Sequence, residues 1–532
     1  MEIFSNEENK ILDGVRTSGR HYSFWLTSTE PIKFAPLREN LDVDVVVIGG
    51  GIAGITTAYL LSKSDRTVAL VEDGYIGSGE TGRTTAHLVN ALDDRYTDLE
   101  KYFGQEGSML AGESHTLAIN FIEEVIKEEK IDCDFERVDG YLFLHETDKK
   151  KTLDDELDAT HRASIDTEMV SSVPGITNYT GPALVFPRQA MFHPLKYLSA
   201  LSNLIVKNGG KIFTETHVKE IDNTGIKTDG GNRITARNIV VATNTPINDT
   251  FTMHTKQAPY RTYVLGIKIL KNVLKRALWW DTGDQNSKWP NYPYHYVRLQ
   301  NYNDAYDLLI VGGEDHKTGQ AEVDEIYEEN RYILLEEWAR KYFPAAQDVA
   351  FKWSGQVMEP VDSLAFIGKN PGDDNIYICT GDSGNGMTHG TIAGIILTDL
   401  ILGKHNRWQE LYDPSRKNAK SVPTYIKEQA NVAKKYVVDF LSEGEVKSVK
   451  DIKPGDGAVI RDGLTKAAVY RDEKGQFHTY SAVCKHLKCI VHWNRDEKTF
   501  DCPCHGSRYT CYGTVVNGPA KEGLDIVEIN LE

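Results

Sequence analysis

The chain has 532 residues, 40% of them hydrophobic and 26% charged, with a formal net charge of -17. That length suggests two to four compact units with room for a sizeable core rather than a single domain. The acidic balance repels polyphosphate and argues against a nucleic-acid partner, and no run of eighteen apolar residues exists to span a membrane.

The N-terminus, MEIFSNEENKILDGVRTSGR, has acids where a signal peptide needs a basic start and lacks an apolar core, so a cytoplasmic location is expected. Residues 43 to 49 then form an apolar β-type run ending in glycines, IAGITTAYLLSK follows with helical spacing, and TVALVE reads as a second strand closing at Glu72. Gly49, Gly51 and Gly54 stand in GxGxxG spacing, and Glu72 lies eighteen residues beyond the last of them. In a βαβ setting this is a dinucleotide fingerprint: the glycines let the backbone approach a pyrophosphate at a helix N-terminus, and the acid accepts from the ribose. The alternative is a glycine-rich turn that holds no nucleotide.

Next come the glycine and hydroxyl loop DGYIGSGETGRTTAHL, the strand ARNIVVATNTP, and NIYICTGDSGNGMTHGTIAGIILTDLI, where a strand enters a glycine-rich turn and then a helix. These segments resemble the flavoprotein family of D-amino acid oxidase, glycine oxidase and sarcosine oxidase, over about residues 22 to 416. The resemblance implies FAD, with its adenosine and pyrophosphate on Gly49, Gly51, Gly54 and Glu72 and its adenine near Val218. It places Ser78, Gly79, Thr81 and Gly82 along the flavin side, and Gly384, Gly386 and Met387 against the isoalloxazine. A second GxGxxG is absent, since LLIVGGEDH lacks the third glycine, so the electrons should come from a small-molecule substrate bound against the flavin.

The expected fold is an α/β, Rossmann-like FAD-binding domain (segments about 42–86, 181–250 and 346–416) with an antiparallel-sheet substrate domain (about 87–180 and 251–345), together residues 1–422. Relatives roof the substrate pocket with that sheet, which makes Arg261, Tyr263, Tyr294, His295, Tyr296 and Arg298 pocket candidates. Strand alternation lets only about half of them face inward, and Arg261, Tyr263, Tyr296 and Arg298 are the selected set. Where the family carries a GxRP-type arginine, this chain has Met358 and Glu359 before Pro360, and Asp382 stands where many relatives have histidine. Both departures weaken a carboxylate clamp and leave room for a cationic amine. By the same resemblance, His87 is a candidate for a covalent flavin link.

Residues 423–442 read as a helical linker, and 443–532 as a small all-β domain of short strands and turns. Five of the seven cysteines crowd there: Cys484, Cys489, Cys502, Cys504 and Cys511, while Cys133 and Cys379 stand alone in apolar surroundings. Cys484 and His486 form CxH, Cys502 and His505 form CxxH, and fifteen residues separate the pairs. Zinc would accept such a quartet; the order Cys, His, Cys, His also matches a Rieske 2Fe-2S cluster, with two thiolates on one iron and two imidazoles on the other. The surrounding CPCHGSRY and NGPA resemble the Rieske family. That resemblance implies a disulfide between Cys489 and Cys504, hydrogen bonds from Ser507 and Tyr509 that tune the cluster, and a shielding proline loop.

Together these features predict an oxidoreductase that takes hydride from a carbon beside an amine or amino-acid-like nitrogen into FAD and passes the electrons singly through the cluster to an external carrier, with His486 and His505 at the crossing. The alternatives are the reverse flow, from an external donor through the cluster to a substrate, and a non-catalytic relay or sensor.

Overall fold

A computed structural model describes residues 20–248, 253–287, 293–320, 331–463 and 465–529. The stretch that bears on export, residues 1–19, lies outside them. Among the described residues no helix is long and apolar enough to cross a membrane.

The run LDVDVVVI becomes the strand Leu41–Ile48, its Val45, Val46 and Val47 fully buried because the sheet is covered on both faces. It pairs in parallel with Arg233–Val241 on one side and Val68–Val71 on the other, Val47 lying opposite Val240 and Leu70. Ile376–Thr380 and Lys211–Phe213 extend these parallel pairings within an eight-stranded sheet, and Phe366–Lys369 closes one edge antiparallel. Two helices, Ile52–Ser62 and Gly386–Ile401, pack closely on it. A Cβ on Gly390 would stand 2.5 Å from Ile52 Cγ2 and one on Gly394 would stand 2.4 Å from Thr56 Cγ2, so the small residues of GTIAG set the helix spacing.

A nine-stranded, mainly antiparallel sheet carries the second half of the molecule, with the long strands Gln257–Leu270, Tyr306–Lys317 and Val349–Pro360 at one end and Glu136–Phe143 and Ala183–Met191 toward the other. The last strand of each group shifts the expected boundaries. Ala183–Met191 and Val349–Pro360 lie in this sheet and not in the nucleotide-binding one, so the chain returns to the latter with the helix Pro194–Lys207 and again with Phe366–Lys369. Within 87–180 the chain forms two helices besides strands: Arg95–Glu129, broken at Gly104 where φ is 72°, and Lys150–Arg162.

The linker is the helix Val422–Leu441, with proline in its first turn. It is tied to both neighbours: Glu428 pairs with Lys317, Asn431 accepts from Gln320 Nε2 at 2.8 Å, and Asp439 meets His492 Nε2 at 3.0 Å. The C-terminal domain contains a three-stranded and a four-stranded antiparallel sheet around Val459, Tyr470, Trp493, Phe500 and Tyr509.

That domain is docked on the preceding domain through buried polar contacts. Glu497 accepts from Ser354 Oγ at 2.6 Å and from Arg20 N at 2.8 Å. Burial alone would raise its carboxyl, but His21, Arg83 and Arg508 outweigh that and bring it down to about 2. Gln356 Nε2 donates to Gly506 O at 3.1 Å.

Candidate functional site

The carboxyl ends of the parallel strands open into a cavity of about 750 Å³ that runs from Gly49–Ala53, Glu72 and Val218 to the inner face of the large sheet. The first turn approaches the sheet too closely for side chains: a Cβ on Gly49, where φ is +106°, would lie 2.3 Å from Ala242 O, and one on Gly54 would lie 2.0 Å from Gly49 O. Gly49 and Gly51 line the cavity, whereas Gly54 packs helix on strand and does not. Glu72 is held in the groove by N–H donors from Gly50 (2.6 Å) and Gly74 (2.8 Å), and burial still pushes its carboxyl up to about 7. Ser78, Gly79 and Thr81 line the same wall, and Thr81 Oγ1 accepts from Ile52 N at 3.1 Å. Gly82 is turned away, against Gly77 and Leu26. Val218 borders one end; Gly384, Gly386 and Met387 border the other. A long groove with bare backbone, a carboxylate at one end and a glycine turn at the other fits extended FAD.

Beyond the groove, Tyr260, Thr262 and Val264 of one strand, Tyr296 at the start of another and Tyr294 just before it form the wall, with Trp280 beside them. Tyr296 OH and Thr262 Oγ1 are 2.6 Å apart. Of the selected candidates, Tyr296 is therefore the one that faces the cavity. The pleat turns Arg261 and Tyr263 to the other face, where Arg261 Nη1 donates to Ser354 Oγ at 3.0 Å and Tyr263 OH meets His316 Nε2 at 3.0 Å. Arg298 shares the alternation of Tyr296 but bends beneath the cavity, donating to Ala86 O (2.8 Å) and Phe192 O (3.0 Å). His295 is fixed between Asp281 and Glu314 and stacks on Trp338 at 4.3 Å. His87 borders the cavity with both ring nitrogens engaged, Nδ1 with Thr85 Oγ1 (3.0 Å) and Nε2 with Val297 O (3.2 Å).

The charged lining is predominantly acidic. Asp93, Asp94, Asp315, Glu359 and Asp382 converge from distant segments. Burial raises Asp93 to about 6 and Asp94, Asp315 and Asp382 to about 7, and Glu359 is pushed well above the carboxylate range by burial and then by Asp94. Ser383 Oγ donates to Glu359 at 2.8 Å. Asp315 Oδ1 and Asp382 Oδ1 are buried with no hydrogen-bond partner among the described residues. Of this group the sequence had drawn notice only to Glu359 and Asp382.

In the C-terminal domain, Cys484 and Cys502 come together with a shared hydrogen bond, and the His486 and His505 rings lie 5.1 Å apart at 86°. Hydrogen bonds from Cys502, and then from Tyr509 and Ser507, outweigh burial and bring the Cys484 thiol down to about 6; Tyr509 OH is 3.3 Å from its sulfur. Burial, with His486 and His254 nearby, holds the His505 ring near pKa 3, and its Nδ1 has no partner among the described residues. Paired thiols with hydrogen-bond donors, beside the two imidazole rings, suit a 2Fe-2S cluster. The disulfide Cys489–Cys504 joins the two ligand loops, and Cys511 is a buried thiol. One neighbour went unread in the sequence: His254 of the flavin half lies 4.7 Å from the His486 ring and 6.1 Å from that of His505.

Comparison with known proteins identifies both domains and their cofactors. Residues 44–400 match the family described as FAD dependent oxidoreductase, and residues 442–528 match the Rieske 2Fe-2S domain. The chain is similar to YhfW of Bacillus subtilis (strain 168), a protein named for a Rieske 2Fe-2S centre, at 32% identity over 514 residues, 96% of this chain and 98% of that one. It is 28% identical over 393 residues to the gamma-glutamylputrescine oxidoreductase of Escherichia coli (strain K12), covering 71% of this chain and 88% of the relative. Its fold resembles that of L-proline dehydrogenase from P. horikoshii, with a TM-score of 0.58 at 21% identity over 71% of this chain and 98% of the other.

Proposed function

The chain belongs to the FAD dependent oxidoreductase family and carries a Rieske 2Fe-2S domain, and from that premise we propose that it oxidises a cationic amine and delivers the electrons to its own C-terminal cluster. The observation that carries the substrate class is the acidic end of the cavity, where Asp315 Oδ1 and Asp382 Oδ1 have no donor among the described residues. An alkylammonium group supplies those donors and the compensating charge. A carboxylate would meet repulsion instead: Arg261 and Arg298 are turned elsewhere, and Arg95 at the cavity edge donates to Asp281 O. The E. coli relative, named as a gamma-glutamylputrescine oxidoreductase, supports an amine as well.

When bound, FAD accepts the electron pair and the cluster carries electrons one at a time. The protein's part is to bind, orient and hold protons. Aromatic walls of Tyr260, Trp280, Tyr294 and Tyr296 exclude water around the substrate carbon. An amine must shed its ammonium proton before it can be oxidised, and a carboxylate with a raised pKa, such as Asp382 or Asp315, is matched to hold that proton near neutral pH. The aromatic-walled end of the cavity beyond the groove favours catalysis over a sealed relay. His254 packs on both ligand imidazoles, so the histidine edge of the cluster site faces the flavin half, which supports transfer within one molecule.

Anaerobic mixing with amines and with amino acids tests the substrate class. Amines lacking a carboxylate are expected to bleach the flavin absorbance, and the corresponding amino acids to do so poorly. Bleaching by amino acids alone would refute the reading.

A further inference from the structure

The loop 515–521 of the C-terminal domain reaches the nucleotide groove. Val515 to Gly518, Ala520 and Lys521 border the same cavity as Gly49, Glu72, His217 and Val218. Asn517 Nδ2 donates to Glu80 Oε1 at 3.1 Å, and the other oxygen of Glu80 accepts from Gln356 N at 2.8 Å, so one carboxylate ties the loop to both halves of the flavin domain. On its inner side Ala520 N donates to Ser507 Oγ at 3.1 Å, beside the thiols.

Charge points the same way. FAD brings a diphosphate to a groove whose walls hold Glu72, Asp73 and Glu80, and the helix N–H of Ile52 is already given to Thr81. The other lysines and arginines on the cavity are engaged or lie elsewhere: Arg83 donates to Ser354 O, Arg95 to Asp281 O, and Lys101 and Lys427 stand by the contact of Tyr102 with Thr424. Lys521 stands at the adenosine end, close enough to oppose protonation of His217, which itself pairs with Asp73 at 3.2 Å.

We propose that the Rieske-domain loop 515–521 is part of the FAD site, closing over the ADP half of the cofactor with Lys521 as the cation for its diphosphate. The C-terminal domain then retains the flavin as well as receiving its electrons. FAD exchange requires this loop to lift, and the cofactor and the cluster domain are held in place together.

The test uses the full-length holoprotein and the fluorescence of FAD released after dilution. Lys521→Glu is expected to release FAD about tenfold faster than wild type, Asn517→Ala by a smaller factor, and added salt should narrow the gap. The EPR signal of the reduced cluster should be unchanged, because Lys521 is an exposed side chain. Independently of any variant, backbone hydrogen exchange across 515–521 should be slower with FAD bound than in the FAD-depleted protein. Wild-type release from Lys521→Glu, or exchange in the loop that ignores FAD, would overturn the proposal.

Discussion

At the scale of single residues, the behaviour of the cavity is set by carboxyl groups whose burial raises their pKa. Below about 6 they are protonated and neutral; Asp93 ionises near 6 and Asp94, Asp315 and Asp382 near 7. Affinity for a cation therefore rises as pH increases through that window, until the amine loses its own charge. Asp315→Asn and Asp382→Asn should each weaken amine binding by about tenfold and flatten this rise, as read from KM or from the dissociation constant of an unreactive amine at several pH values. An unchanged pH profile in both variants would contradict the assignment. The cluster quartet was legible in the sequence because Cys484, His486, Cys502 and His505 lie in two short loops whose spacing is itself the chemistry. The acidic cavity was not, because Asp93, Asp315, Glu359 and Asp382 are brought together only by folding.

At the scale of elements, alternation explains both what was read and what was missed. The strand Gln257–Leu270 turns Tyr260, Thr262 and Val264 inward, so its arginine and second tyrosine had to face the other way. The identity of the inward set depends on which sheet face the flavin domain covers, and the strand's own pattern is buried along nearly its whole length. The βαβ opening was legible because its strand, glycines and helix are contiguous. The close approach of the helices Ile52–Ser62 and Gly386–Ile401 rests on Gly390 and Gly394. Gly394→Val should destabilise the flavin domain by about 1–3 kcal/mol, measured by denaturant unfolding, because its side chain meets Thr56. A neutral result would mean that the helices separate freely and do not fix the groove.

At the scale of the whole molecule, the C-terminal domain is fastened to the flavin half. Glu497 enters the contacts of Ser354 and Arg20, the linker helix is pinned by Glu428 and Asp439, and His254 packs on the His486 and His505 rings. Under the proposed function, this docking would let a two-electron oxidation in one domain become one-electron delivery by the other without a large domain swing. The most direct measurement is anaerobic rapid mixing with a bleaching amine, followed by EPR of the cluster over a range of protein concentrations. Cluster reduction is expected with a rate constant independent of protein concentration and slowed by Glu497→Ala, which loosens the docking. A rate that scales with protein concentration, or a cluster that stays oxidised while the flavin bleaches, would contradict that expectation.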